Sequence, residues 1–105
     1  CNVCLVRSLV HLSPRSSAVS FVLALFQDST ADSFAGCFQY GAVATAVYPN
    51  IVEGSVIAGT TSATTFKVRY GQGSGSQNID VNSSDGTGLL GGVLLSWLSV
   101  EEIMG

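Results

Sequence analysis

The chain has 105 residues, 47% of them hydrophobic and only 10% charged, where an ordinary soluble domain carries about a quarter charged residues. Five Phe, three Tyr and one Trp beside a net charge of −3 exclude a disordered chain, and seven acidic residues against four basic ones leave no electrostatic footprint for nucleic acid. The longest apolar runs, such as 21–26 and 93–95, fall far short of the roughly 18 to 20 residues that a spanning helix needs, which excludes helical membrane insertion.

At this length residues 1–105 form one domain with a single modest core. The only methionine is Met104, so the chain reads as the C-terminal portion of something longer. No window of 11 residues carries a clean helical stripe, whereas period-2 alternation recurs between clusters of Gly, Ser, Asn and Pro, which predicts an all-β chain.

Residues 1–12 read as a strand, ended by the Ser-Pro-Arg-Ser-Ser run at 13–17. Residues 18–27 form a second strand with Val19, Phe21, Leu23 and Leu25 on one face and Val22, Ala24 and Phe26 on the other. Both faces are apolar, which puts one in a sandwich core and the other against a neighbouring subunit. After a polar turn at 28–33, residues 34–47 give one or two short strands broken near Gly41, Tyr48-Pro49-Asn50 acts as a breaker, and 51–58 is a further strand. Phe66, Val68 and Tyr70 then alternate with Thr65, Lys67 and Arg69, placing the two cations on the solvent face. Residues 71–76 read as a flexible hairpin tip, 77–82 as a short strand and 83–88 as a loop. The closing strand, 93–103, has Trp97, Ser99, Glu101 and Ile103 on one face and Leu94, Ser96, Leu98 and Val100 on the other. Seven or eight short strands in this length predict an antiparallel sandwich, jelly roll or barrel.

Catalytic and metal chemistry find little footing. Cys1 and Cys4 are spaced C-x-x-C, but residues three apart on a strand face opposite ways, and only Cys37 and His11 remain as further soft ligands, so no metal is expected. A disulfide from Cys37 to Cys1 or Cys4 is open. The Gly71-Gln72-Gly73-Ser74-Gly75-Ser76 run lacks the Gly-Lys-Ser/Thr ending of a phosphate loop. With a single histidine and carboxylates confined mostly to turns and strand ends, neither a nucleophilic triad nor a paired-carboxylate site is expected, and the chain reads as non-enzymatic with no cofactor.

The stretches 58–71 (AGTTSATTFKVRYG) and 90–103 (LGGVLLSWLSVEEI), with 24–31 (ALFQDSTA) upstream, resemble the C-terminal β-domains of tailed-phage virion surface proteins, of the fibre, spike or capsid-decoration type. The resemblance runs from about residue 18 onward. It implies a jelly-roll-like fold of about eight strands, a homotrimer, other virion proteins as partners and a place on the virion surface. Independently, strands apolar on both faces call for a closed oligomer that hides one of them. Val22, Phe26, Trp97 and Leu98 are the expected trimer interface. A fibre tip binding a host receptor or glycan is the alternative function, through loop residues Asp28, Asp32, Gly73, Ser74 and Asp85. Phe38, Tyr40, Tyr48 and Tyr70 are the aromatics able to stack on a sugar, each expected instead in core or interface. A secreted TNF-like or lectin-like trimeric module is a further alternative.

Overall fold

A computed structural model of the chain describes residues 3–59, 62–73, 78–84, 87–88, 90–92 and 94–104. These residues are all-β. The strands are β1 (Val3–Pro14), β2 (Val19–Gln27), β3 (Ala35–Gly41), β4 (Tyr48–Ile57), β5 (Phe66–Gln72), β6 (Ile79–Val81), the two-residue β7 (Ser83–Ser84) and β8 (Thr87–Gly88), and β9 (Trp97–Met104). They form two antiparallel sheets and a small β7-β8 ladder, an arrangement compatible with an antiparallel sandwich.

In the first sheet β1 is central: β4 pairs along one side, while β9 and then β6 share the other. In the second sheet β2 is central, between β3 and β5. The alternation of apolar residues dictates which faces meet. Cys4, Val6, Val10 and Leu12 of β1, Val19, Phe21, Leu23 and Leu25 of β2, and Val52 of β4 are buried together as the core. The expected inner face of β2 is therefore the real one, and a one-residue slip of its register would put all four of those side chains in water. Phe21 meets the Tyr48 ring at a centroid distance of 6.0 Å, and Phe34 meets Phe66 edge-on at 6.1 Å.

The expected breaker at 48–50 is instead the start of β4. Leu12 pairs with Tyr48, His11 with Pro49 and Val10 with Asn50. Among the described residues β4 pairs only with β1, and such an edge position is where proline's missing N–H costs no ladder bond. Asn50 is buried and donates from Nδ2 to the Tyr48 carbonyl at 2.9 Å, so its amide does not break the inner face. The closing strand also differs: it starts at Trp97, not at 93, and follows a 3-10 turn at Leu90–Gly92.

Two close approaches fix the layers. A Cβ on Gly54 of β4 would lie 2.6 Å from the Ala35 Cβ of β3, and one on Gly41 would lie 2.7 Å from the Phe21 ring. Only glycine fits where the chain passes this closely. At the opposite end Thr45 holds φ +64°, unusual for a β-branched residue. Its N–H donates to the Pro14 carbonyl at 2.8 Å, and its own carbonyl accepts from Ser84 Oγ at 2.6 Å.

Candidate functional site

The register places the expected interface residues on separate surfaces. Val22 and Phe26 sit half-buried on the outer face of the β3-β2-β5 sheet, where Val22 is opposite Phe38 of β3 and Phe26 is opposite Lys67 of β5. The Arg69 guanidinium lies 5.1 Å from the Phe26 ring centroid and covers part of that ring. Trp97 pairs with Leu9 and lies on the outer face of the other sheet. Leu98 pairs with buried Ser8 and so lies on the inner side of β9. The four residues thus form no single patch; Trp97 and Leu98, adjacent in sequence, point to opposite sides of one strand.

Leu98 and Val100 share the inner side of β9 with buried partners Ser8 and Val6, yet they are 39% and 50% exposed. Tyr70 is in the same position on the other sheet: it pairs with fully buried Leu23 and is 51% exposed. The inner faces of β5 and β9 are therefore left uncovered where the sheets end. Ser8 Oγ ties β9 to the sheet by donating to the Trp97 carbonyl at 2.8 Å.

The outer faces carry further apolar side chains. Of the aromatics expected in core or interface, Phe38 and Tyr40 are 68% and 60% exposed on β3 and so stand outside the core. Tyr48 does meet that expectation: it is half-buried against Phe21, and its hydroxyl accepts from the Val43 N–H at 3.1 Å. On the first sheet Ile51 and Ile57 are exposed beside a cross-strand Arg7–Glu53 pair at 3.3 Å. An apolar cleft of about 440 Å³ opens at one end of that face, lined by His11, Val47, Pro49, Leu90 and Leu94.

Of the loop residues, Asp28 and Gly73 make structural contacts. Asp28 occupies the left-handed region at φ +50°, donates its N–H to the Thr65 carbonyl at 2.7 Å and accepts the Thr65 N–H on Oδ1 at 2.8 Å. It ties the β2-β3 turn to the start of β5. Asp32 is exposed in the same turn. Gly73 is not a free tip: its N–H donates to the Ser20 carbonyl, and an added Cβ would lie 2.9 Å from the Phe38 ring. Ser74 and Asp85 lie outside the described residues.

Cys4 is disulfide-bonded and Cys37 carries a free thiol, so the open pairing to Cys37 is not made. Burial pushes the Cys37 thiol up, partly offset by a backbone hydrogen bond at Leu23. Among the described residues no three His, Cys, Asp or Glu side chains converge as metal ligands would. Comparison with protein-family models, curated proteins and solved structures gives no match for this chain.

Proposed function

We propose that the chain is a non-enzymatic structural module of a virion surface protein, a fibre or capsid-decoration domain that works as a homotrimer. The observation that carries this reading is the apolar surface left on both layers: Ile51, Ile57 and Trp97 on one outer face, Phe38 and Tyr40 on the other, and Leu98, Val100 and Tyr70 at the uncovered sheet ends. Exposed apolar side chains in such number mark a surface made to meet another protein. The virion setting comes from the resemblance of 24–31, 58–71 and 90–103 to phage virion domains. Native mass spectrometry is expected to report three times the 10.8 kDa chain mass. A monomer at micromolar concentration overturns the reading, and imaging of assembled particles locates the domain on capsid or tail.

A second reading, receptor or glycan binding, draws on the exposure of Phe38 and Tyr40 side by side on β3, because a flat aromatic beside polar groups is what a sugar face stacks on. Glycan-array binding that is lost in Phe38→Ala and retained in Asp32→Ala would favour it over the structural role.

A further inference from the structure

We infer that the surface through which this module meets its own kind is one pair of its open sheet edges, with β5 of one copy laid alongside β9 of the next. The inference rests on the self-association proposed above and names where it happens.

Among the described residues β5 pairs only with β2 and β9 only with β1, so each leaves a row of backbone N–H and C=O groups facing outward. Because β3 and β2 pack against β4, and β2 against β1, the β5 and β9 edges fall on the same side of the sandwich. On the opposite side Pro49 interrupts the donor row of β4, and the β3 edge beside it carries no charged side chain that could select a partner edge.

Side-chain pattern makes the two edges complementary. Val68 and Tyr70 point inward on β5; Leu98 and Val100 point inward on β9. Joining the strands with their inner faces aligned continues the apolar core across the junction and covers three side chains that the single chain leaves substantially exposed. The same alignment puts Lys67 and Arg69 of β5 on one outer face with Glu101 of β9. The charge balance points the same way. Arg7 and Arg15 are paired with Glu53 and Asp80, whereas Lys67, Arg69 and Glu101 form no ion pair among the described residues. The two cations left over lie on one open edge and a leftover carboxylate on the other. Opposite charges across neighbouring strands stabilise the pairing, and like charges there oppose it.

Charge reversal tests this directly. Glu101→Lys alone, or Lys67→Glu with Arg69→Glu, is expected to weaken association at least about tenfold in sedimentation velocity, with the fold intact by circular dichroism. The chain carrying all three changes is expected to recover to within about threefold of the original. On association, hydrogen exchange is expected to slow at 66–72 and 97–104. An oligomer indifferent to both reversals, or one the triple change fails to restore, overturns the edge pairing and leaves self-association standing. A wild-type chain that stays monomeric overturns both.

Discussion

Arg15, just past the end of β1, donates two hydrogen bonds to Oδ1 of Asp80 on β6, from Nη2 at 2.7 Å and from Nε at 3.1 Å. Asp80 is buried while Arg15 is partly in solvent. The pair clasps the chain where it leaves one sheet for the other, and Arg15 N–H adds a bond to the Asn78 carbonyl at 3.3 Å. Arg15→Ala is expected to cost about 2 kcal/mol in urea unfolding, since charge-assisted hydrogen bonds contribute about 1.5–3 kcal/mol. Arg7→Ala, which breaks an exposed pair, is expected to cost no more than about 1 kcal/mol. Equal losses for the two would mean that the burial of Asp80 has no energetic weight.

Gly54 should resist enlargement. Gly54→Val drives a branched side chain into Ala35 and Phe34, and overpacking of this kind costs about 1–3 kcal/mol. Ser55→Val, one residue on and pointing outward, is expected to be near neutral by the same measurement. A neutral Gly54→Val would show that the sheets have room to separate there.

Asp28 separates a structural loop from a binding loop. Asp28→Ala removes the acceptor for the Thr65 N–H and leaves a residue with a Cβ at positive φ, so a loss of about 1–2 kcal/mol is expected. Asp28→Asn keeps both the acceptor oxygen and the tolerance of the left-handed region, and should restore most of it. If both variants keep full stability, the turn is not held through this carboxylate.

The Cys37 thiol should be slow to react. With its folded-state pKa raised above the ordinary 9.0, the folded protein keeps the proton longer than the unfolded chain does. The stability this contributes is complete below pH 9.0 and is lost as pH rises through the raised value. Alkylation at pH 8 is expected to be slower in native protein than in urea, and Cys37→Ala to flatten the alkaline fall in stability. Equal alkylation rates in the two conditions would contradict the burial of this thiol.

Much of the fold could be read from alternation alone. The parity of Val19, Phe21, Leu23 and Leu25 gave the inner face of β2, and the pattern from Phe66 to Tyr70 put Lys67 and Arg69 outside. Pro49 reads as a breaker because proline's exclusion from ladders applies only to the bonded side, and the side an edge strand turns outward is not written in local sequence. Parity on its own would have served better there: Asn50 and Val52 are the buried residues of β4, and Pro49 merely falls between inward positions. Surface sites were harder to read than strands. Whether Tyr70 is covered depends on where the facing sheet stops, which is set by residues distant in the chain. Asp28 looked available to a ligand because its partner, Thr65, lies 37 positions away.

Pro49 has a wider consequence. With strand addition blunted along β4 and the two charge-bearing edges on the other flank, a copy joins its neighbours head to tail from one side. Head-to-tail joining of this kind closes into a ring when the rotation between neighbours closes and runs on as a filament when it does not, so the angle between the β5 and β9 edges sets the number of copies.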